Sequence, residues 1–462
     1  MSLEITDLSI YKRIHLIGIG GVSMSAIAET LNNWKYEVTG SDLSQSTITD
    51  NLNKHGIKTI IGHDVELAKK ADLIIYSAAI SDSDPEIIAA KENNIPIIDR
   101  GSFVGYLTKL YKEAICVAGT HGKTTTTSML SICFINAKLD PTIEVGAILD
   151  QIGGNYRIGN SEYFILESCE YKGNFLKFVP NTAIILNMDN DHLDYYKTFD
   201  NIVKTFNEFA KNVDEGGLLV TNADDPNCYN LKNIATSKFI SYGIENSNAD
   251  FVAKNISFDN NGFASFDVYK NNNYYSSIKL SVAGKHNVLN SLACIAVCDY
   301  YGIDKNIVSS SLNSFTGAER RLEYKGSLPN NVSIFDDYAH HPTEIKAIAN
   351  AIKNKTYNKS WVIFQPHTYS RTKLLLDDFA DALSNFDNII LLDIYAAREK
   401  DNHEISSKDL ADKLSLKNKN VKYIPDFEKV TSFIKESVKN DDIIITLGAG
   451  TVTKLGPMIL NK

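Results

Sequence analysis

The stretch "CVAGTHGKTTTTSML", residues 116–130, decides what kind of fold and what kind of site this chain has. An apolar run at 114–118 leads into a glycine-containing turn, and a helix-like segment follows. The sequence therefore predicts a strand, a turn and a helix in that order. A phosphate-binding P-loop would have its leading glycine at position 117, where this chain has Val117. The stretch thus raises the question of whether the turn still binds a nucleotide.

The turn keeps the groups that a triphosphate needs. Such a site requires consecutive backbone N–H groups around a β-phosphate, a lysine on the β- and γ-oxygens, and a hydroxyl on magnesium. These groups are supplied by Gly119, Gly122, Lys123 and Thr124. Val117 matters less, because it lies in the strand before the turn closes. We expect a triphosphate here; the alternative is a helix that happens to begin with Gly-Lys-Thr.

The composition limits the possible partners. At 462 residues the chain is too long for one ordinary domain, and its formal net charge of -9, without a long basic block, argues against nucleic-acid binding. The six cysteines form no CxxC pair and mostly lie among apolar residues, which is typical of reduced thiols. No apolar run approaches the roughly 18 residues of a membrane span, and the first residues contain no apolar leader segment. We therefore expect a cytoplasmic protein without membrane or nucleic-acid partners.

The pattern along the chain indicates three α/β units of domain size. The first opens with a strand, glycine turn, helix and strand over 13–42, the second with the quoted stretch, and the third after "TGAERRLEY". Between 250 and 281 the period becomes that of strands, flanked by Asn261-Gly262, which predicts an antiparallel insert in the second unit. We place the domains at 1–109, 110–317 and 318–462.

Another glycine turn lies near the start, between the first predicted strand and helix. Its glycines let the backbone approach a diphosphate, which then lies at the helix N-terminus, where free N–H groups favour anions. The third glycine of a dinucleotide fingerprint is replaced by Ser23, so NAD, another nucleotide diphosphate and a ligand-free tight turn all stay open. Strand-end residues on the same carboxyl edge would face this turn. The residues concerned are Gly18, Gly20, Gly21, Val22 and Ser23 in the turn, and Ser41, Asp42 and Ser77 at the strand ends.

Carboxylates and a histidine follow two strands of the central unit. They are Glu167 and Glu170 after one strand, and Asp189, Asp191 and His192 after the next. In a parallel sheet these positions fall at the edge that carries the lysine turn, where a phosphate-bridging magnesium ion needs further ligands. The alternative for each residue is a helix cap or a solvated turn.

The third unit concentrates histidines, arginines and acids at three strand ends. Arginine suits phosphate clamping, an acid suits ribose binding and a histidine can face a substrate, whereas capping and solvation are the alternatives. Convergence of three such strand ends is harder to explain by capping than any one of them. The residues are Arg320, Arg321, Asp336, Asp337, His340, His341, His367 and Arg371, with Pro342 at a helix start.

Four motifs resemble those of one enzyme family, the Mur ligases of peptidoglycan synthesis. They are "GIGGVSMSAIAE", "GTHGKTTTT", "DDYAHHPTEI" and "QPHTYSRT", and the resemblance covers nearly the whole chain in the family's order. It implies an α/β fold of three domains: an N-terminal Rossmann-like domain for a UDP sugar, a central P-loop ATPase domain and a C-terminal Rossmann-like domain. It also implies a ligase that uses ATP and Mg²⁺ to join L-alanine to the lactyl carboxylate of UDP-N-acetylmuramate through an acyl phosphate. We expect a monomer or homodimer.

The resemblance also implies a role for each motif residue. The nucleotide-binding residues are Gly119, Thr120, His121, Gly122, Lys123, Thr124, Thr125, Asn287, Arg321 and Asp337. The metal ligands are Thr124, Glu170 and His192. The substrate-binding residues are Gly18, Gly20, Gly21, Val22, Ser23, Ser41, Asp42, Ser77, Tyr338 and His340. The catalytic residues are Lys123, His340 and Arg371, with His340 orienting or deprotonating the alanine amine.

Two departures from the family pattern bear on the substrate contacts. Cys169 stands where many relatives have an acid, and Thr368 where many have arginine. Three other functions compete with the implied one: an NAD-dependent oxidoreductase joined to a regulatory ATPase, a P-loop switch that recruits a partner, and the related ligase that joins a whole peptide.

Overall fold

Three β-sheets, which follow one another along the chain, organise the molecule. The computed structural model describes residues 5–397, 399–401 and 403–461, and within them the sheets have five, ten and six strands. One sheet lies in each predicted domain, so the three-domain α/β organisation is confirmed. The residue boundaries between the domains stay a prediction.

The N-terminal sheet is entirely parallel among the described residues. Its strands are β1 (Arg13–Ile17), β2 (Glu37–Asp42), β3 (Lys58–Ile61), β4 (Leu73–Tyr76) and β5 (Ile97–Asp99). Its helices are α1 (Val22–Asn33), α2 (Thr47–Lys54), α3 (Val65–Ala68), α4 (Pro85–Glu92) and α5 (Arg100–Leu110). The strand order β3-β2-β1-β4-β5 places the glycine turn after β1 at the point where the strand order reverses. Open α/β sheets bind ligands at such a point.

The central sheet carries the quoted turn after its first strand. Its strands are β6 (Glu113–Ala118), β7 (Thr142–Leu149), β8 (Gly154–Arg157), β9 (Tyr163–Glu167), β10 (Thr182–Ile185), β11 (Leu218–Asn222), β12 (Lys238–Gly243), β13 (Phe251–Phe258), β14 (Phe263–Lys270) and β15 (Asn273–Ala283). Its helices are α6 (Lys123–Asn136), α7 (Leu193–Tyr196), α8 (Phe199–Lys211), α9 (Pro226–Asn230), α10 (Lys285–Tyr300) and α11 (Lys305–Ser314). A 3-10 segment, Tyr171–Lys177, follows β9.

The predicted antiparallel insert extends this sheet. The strands β13, β14 and β15 pair antiparallel, and β13 continues the sheet by pairing parallel with β12. At the other edge β7 and β8 form a hairpin that the sequence patterns did not indicate. Between these edges β11, β10, β6 and β9 run parallel, so their carboxyl ends share one edge.

Helix α6 is buried although its sequence begins with a run of threonines. Threonine favours helices only weakly, but its hydroxyl can bond back to a carbonyl one turn earlier. Thr127 Oγ1 donates to the carbonyl oxygen of Lys123 at 2.9 Å, and Ser128 and Ser131 make the same kind of bond. Thr127, Ser128 and Ser131 thus satisfy their hydroxyls within the helix, whereas Thr126 Oγ1 is buried without a hydrogen-bond partner among the described residues, and the small side chains allow close packing of α6 against α10.

The C-terminal sheet repeats the parallel architecture. Its strands are β16 (Glu323–Ser327), β17 (Ser333–Asp337), β18 (Ser360–Phe364), β19 (Asn388–Leu391), β20 (Val421–Tyr423) and β21 (Ile443–Leu447). Its helices are α12 (Pro342–Ile352), α13 (Tyr369–Leu374), α14 (Leu376–Leu383), α15 (Ser407–Ser415), α16 (Phe427–Ser437) and α17 (Leu455–Leu460). The order is β16-β17-β21-β18-β19-β20, with β16 antiparallel to β17.

The N-terminal and central domains share one apolar core. Phe103 of α5, Phe175 of the 3-10 segment and Phe206 of α8 all belong to it and are buried. The six cysteines are free and five are buried, as the sequence predicted for reduced thiols. Among the described residues, no helix combines the length and the apolar character that crossing a membrane requires.

Candidate active site

The quoted turn is shaped by two glycines whose backbone other residues avoid. Gly119 has φ 139° and Gly122 has φ 86°, and a methyl group on Gly122 would lie 2.6 Å from Asn290 Oδ1. Asn187, beyond the end of β10, holds the turn: its carbonyl accepts from Thr120 N at 3.1 Å and its Oδ1 from His121 N at 2.8 Å. The turn is therefore preformed at the carboxyl edge of the central sheet.

Lys123 reaches back into this turn. Its Nζ donates to the carbonyl oxygens of Gly119 at 2.5 Å and Thr120 at 3.0 Å, and lies 3.0 Å from Glu170 Oε2. Burial opposes the ammonium charge, but Glu170 and neighbouring groups raise the pKa of Lys123 above its usual value. The lysine is thus a fixed, fully charged cation at the centre of the turn.

Oxygen atoms gather beside this cation. Thr124 Oγ1 donates to Glu167 Oε1 at 3.1 Å, and the buried Oε2 of Glu170 has Nζ of Lys123 as its neighbour at 3.0 Å. His192 Nε2 lies 3.9 Å from Glu170 Oε1. Glu170 and His192, two of the predicted metal ligands, therefore lie close together, while Thr124, the third, contacts Glu167. Oxygen donors with one imidazole form a donor set that suits Mg²⁺.

The other two acids weighed for the metal pair with cations instead. Asp189 Oδ2 lies 2.9 Å from His121 Nε2, and Asp191 Oδ1 accepts from Arg371 Nη2 at 2.7 Å. Burial opposes ionisation of Asp191, yet Arg371 and the surrounding histidines hold its pKa far below the usual range. Asp191 thus joins the central domain to the C-terminal domain, and Asp189, which pairs with His121 inside the central domain, also accepts from Thr343 Oγ1 of the C-terminal domain.

A cavity of about 500 Å³ opens between the central and C-terminal domains next to the turn. It is lined by the predicted nucleotide-binding residues His121, Gly122, Thr125, Asn287, Arg321 and Asp337. Asn287 Nδ2 donates to the carbonyl oxygen of Ala283 at 2.8 Å, so it is fixed at the start of α10. Burial raises the pKa of Asp337 to about 7, although two backbone N–H groups bond its carboxylate.

The tandem arginines have different contacts. Arg320 Nε donates to Asp336 Oδ2 at 3.1 Å inside the C-terminal domain, where Asp336 is fully buried. Arg321 Nη2 crosses to the central domain and donates to Thr124 Oγ1 at 2.9 Å. The sequence did not distinguish them. In the structure Arg320 stabilises the C-terminal domain from within, and Arg321 contacts the lysine turn of the central domain.

A second cavity, of about 200 Å³, lies on the other side of the cluster around Glu170. Tyr338, His340 and Arg371, all predicted to face substrate, line it together with His192 and Thr368. Burial lowers the pKa of His340 to about 3, so its imidazole is neutral near pH 7. Thr368, one of the departures from the family pattern, has φ 67° at the start of α13.

The glycine turn of the N-terminal domain is held by strand ends. The carbonyl oxygen of Ser41 accepts from Gly18 N at 2.8 Å, and Asp42 Oδ2 accepts from Gly20 N at 2.9 Å. The Ser41 hydroxyl points inward and donates to Glu86 at 2.6 Å. A methyl group on Gly18 would approach the Cβ of Ser77 to 3.1 Å. The predicted residues of this turn therefore meet as expected, with the Ser41 side chain supporting the turn from behind.

Several residues that contact the two turns from outside were missed by the sequence patterns. Ser23 Oγ donates to Glu144 and accepts from Arg100 Nη1 at 2.9 Å, which ties the first turn to β7 of the central domain. Asn187 and Glu344 hold or contact the second turn. Glu344 lies inside a quoted motif, and a helix-capping pattern was the signal that could have identified it.

The chain matches three protein-family models in succession. They are the catalytic domain of the Mur ligase family at residues 13–112, the Mur ligase middle domain at 117–298 and the Mur ligase glutamate ligase domain at 320–450. The UDP-N-acetylmuramate–L-alanine ligase of Acetivibrio thermocellus is 46% identical over 458 residues, which cover 99% of this chain and 97% of that protein. The protein of the same name from Clostridium acetobutylicum is 46% identical over 462 residues, 100% of both chains.

Two solved structures share the whole architecture. The UDP-N-acetylmuramate–alanine ligase of Thermotoga maritima has a TM-score of 0.82 at 30% identity, covering 97% of this chain and 98% of that chain. The murein peptide ligase of Psychrobacter arcticus has a TM-score of 0.72 at 23% identity over 97% of this chain and 98% of that chain, which supports the fold alone.

Proposed function

Because the chain belongs to the Mur ligase family, we propose that it uses ATP to join L-alanine to the lactyl carboxylate of UDP-N-acetylmuramate. One observation carries the proposal: the charged lysine of the turn lies between two cavities. Gly122 lines the larger cavity, and Glu170, which touches Lys123, lies 3.9 Å from His192 of the smaller cavity. A nucleotide in the larger cavity would thus present its terminal phosphate toward the smaller one.

The chemistry requires an activated acid. A carboxylate and an ammonium ion do not condense in neutral water, because the carboxylate is a poor electrophile. In the proposed reaction a lactyl oxygen attacks the γ-phosphorus as the bond to ADP breaks, giving an acyl phosphate. The neutral alanine amine then attacks the acyl carbon, and the C–O bond to phosphate breaks. The product is an amide, with ADP and phosphate released.

Lys123 is proposed to stabilise the transferring phosphoryl group. Its ammonium is held within the turn by two carbonyl oxygens and Glu170, so little reorganisation is needed when negative charge develops. Arg321, which already contacts Thr124, would bring a further cation from the C-terminal domain. Asn287 and Asp337 would hold the adenine and the ribose from opposite walls of the larger cavity.

Thr124, Glu170 and His192 would hold the magnesium ion. The carboxylates of Glu167 and Glu170 and the hydroxyl of Thr124, all beside the lysine turn, are oxygen donors of the kind that Mg²⁺ prefers, and this donor set is the observation that fits a cation here. Bound magnesium would neutralise negative charge on the phosphates. Cys169 adds no oxygen ligand, because its side chain carries sulfur. Burial raises the pKa of this thiol to about 11, so it stays neutral.

His340 and Arg371 are proposed to receive the amino acid. Arg371 offers a guanidinium for a carboxylate, although it is paired with Asp191 in this arrangement. The neutral imidazole of His340 can accept a hydrogen bond from the amine. Because its pKa is lowered to about 3, we favour orientation of the amine by His340 over its deprotonation. Tyr338 lies beside it, with ring centroids 5.3 Å apart.

The N-terminal turn is proposed to bind the UDP sugar. Helix α1 begins at Val22, directly after the turn, so its N-terminal N–H groups lie at the turn. Gly18, Gly20 and Gly21 leave the backbone there open to a diphosphate. Asp42 would reach the ribose after giving up Gly20 N, its present partner. We also propose that the enzyme acts in the cytoplasm, where ATP is supplied, as a monomer or homodimer.

Release of ADP tests the function directly. The purified chain is given ATP, magnesium and UDP-N-acetylmuramate. Release of ADP is then measured with each free amino acid and with a free tripeptide as the acceptor. We expect ADP release to depend on both the UDP sugar and L-alanine. Release with the tripeptide alone would make the chain the peptide-joining relative, and release without any acceptor would favour a P-loop switch.

A further inference from the structure

One carboxylate of the C-terminal domain touches two functional loops at once. Glu344 lies in the first turn of α12, and its Oε2 accepts from His340 N at 3.0 Å and from His341 N at 3.2 Å. With His341 as N-cap, these bonds form a capping box that fixes the loop bearing His340. The other oxygen, Oε1, lies 3.3 Å from Nδ1 of His121 in the triphosphate turn.

His121 is the partner in the central domain. Its Nε2 lies 2.9 Å from Asp189 Oδ2, so its two ring nitrogens point at carboxylates of different domains. Burial opposes its charge, but hydrogen bonds to Asp189 and Glu344 raise the pKa of His121 to about 9. Both ring nitrogens therefore carry protons near pH 7, and both donate.

A second set of contacts holds the same two loops at a fixed distance. Thr343 Oγ1 donates to Asp189 Oδ2 at 2.5 Å, and His341 Nε2 lies 2.9 Å from the carbonyl oxygen of Asn190. Unlike these residues, Glu344 contacts His121 of the turn and also accepts a hydrogen bond from the backbone N–H of His340. A single side chain, that of Glu344, thus connects the triphosphate turn to the loop that carries His340 of the amino-acid cavity.

We propose that Glu344 is a positioning residue that transmits docking of the C-terminal domain on the triphosphate turn to the placement of His340. The proposal rests on the proposed function, since it concerns the step in which the amine attacks. In the docked state His121 would fix one oxygen of Glu344 and thereby the loop that Glu344 caps. Without that contact the cap and the contacts of Thr343 and His341 persist, but the turn no longer fixes the carboxylate that bonds the backbone of His340.

The variant Glu344→Gln separates the two roles. Glutamine also serves at this position of a capping box, so α12 keeps its cap. Its amide cannot attract the charged His121 as a carboxylate does. The first step is followed by exchange of label between ADP and ATP with UDP-N-acetylmuramate and no amino acid. The second step is followed by the KM for L-alanine.

We expect the KM for L-alanine to rise at least about tenfold, while the exchange rate falls less than about threefold. The double variant with His121→Gln should raise the KM no further than the larger single effect, because both changes break the contact between Glu344 and His121 and only His121→Gln also breaks the contact with Asp189. Glu66→Gln and His403→Gln are matched controls, since both side chains are largely exposed. They should leave both readouts unchanged.

Three results would overturn the proposal: an unchanged alanine KM in Glu344→Gln, equal losses in both steps, or additive effects in the double variant. Equal losses would indicate a merely structural role. If the unchanged chain shows no ADP–ATP exchange with UDP-N-acetylmuramate, the proposed function fails instead. Should Glu344→Gln not fold, His121→Gln alone still tests the contact through the same alanine KM.

Discussion

The two glycine turns share one design, strand then turn then helix, but they are held by different parts of the molecule. The turn at 18–23 is held by its own domain, through the backbone of Ser41 and the carboxylate of Asp42. The turn at 119–124 is held by Asn187 of its own domain and is also touched from the C-terminal domain. The first site therefore lies in the N-terminal and central domains, which share one core and are linked by Ser23 and Glu144, whereas the second is complete only when the C-terminal domain also meets the central one.

This difference separates binding from chemistry. A site within two domains that share one core can bind a UDP sugar whether or not the C-terminal domain is docked. A site that needs a neighbour's arginine and glutamate works only after docking, which also excludes water from a hydrolysable acyl phosphate. The second turn contains a lysine and the first does not. This fits the division between chemistry at the second turn and binding at the first, because binding a diphosphate needs mainly backbone N–H groups.

The largest expected effect comes from removing the lysine. We expect Lys123→Ala to lower kcat at least about a hundredfold, as loss of preorganised charge stabilisation commonly does. Binding of UDP-N-acetylmuramate, measured by calorimetry, should stay within error, because that ligand uses the other turn. Lys112→Ala, an exposed lysine, is the control. Near-normal ligation by Lys123→Ala would remove the lysine from the mechanism and with it the contrast between the turns.

The second prediction compares glycines of the two turns. Gly122 has φ 86° and little space, whereas Gly21 has φ -69° and a methyl group there would lie 3.4 Å from the nearest atom. We expect Gly122→Ala to cost about 1–2 kcal/mol through left-handed strain and Gly21→Ala to change stability little. Urea unfolding of both variants measures this. Equal destabilisation would show that the first turn is as constrained as the second.

The sequence predicted the frame of the molecule well, for a physical reason. Buried parallel strands such as β6 are continuous apolar runs, and the residues after them are polar because they lie at the ligand-binding edge. The lysine turn and the acids after β9 and β10 could therefore be placed on the carboxyl edge of the central sheet, and the histidines after β17 on that of the C-terminal sheet, from pattern alone. Docking of these edges brought the predicted residues together.

What the sequence could not supply is the partner of each charge across a domain boundary. Asp191 looks like a metal ligand in sequence, yet it pairs with Arg371 of the C-terminal domain, and Asp189 accepts from Thr343 of that domain. Arg320 and Arg321 are adjacent and identical, yet one is turned into its own domain. Contacts of this kind depend on how separate sheets meet, and no local period or spacing records that geometry. The β7–β8 hairpin was missed because β8 has only four residues, mostly polar, which carry no clear strand period.

The smallest expected effect is a difference in pH dependence between the turns. Behind the first turn, burial opposes the charge of Glu86, but hydrogen bonds from His15 and Ser41 lower its pKa to about 2. Its contribution to stability is present above its ordinary pKa of 4.5 and is lost as the pH falls through about 2. The first turn should therefore bind its ligand equally well at pH 7 and pH 9.

The second turn should weaken over that range. The pKa of His121 is raised from 6.5 to about 9 in the docked state, where Asp189, Glu344 and the ring of His341 surround it. The docking energy it supplies is complete below pH 6.5 and is lost as the pH rises through about 9. We expect the docked fraction, followed by small-angle scattering with a nonhydrolysable ATP analogue, to fall about two- to fivefold between pH 7 and pH 9. The variant His121→Gln should show no such fall; if it does, the titrating group lies elsewhere, and docking on the second turn does not depend on this histidine.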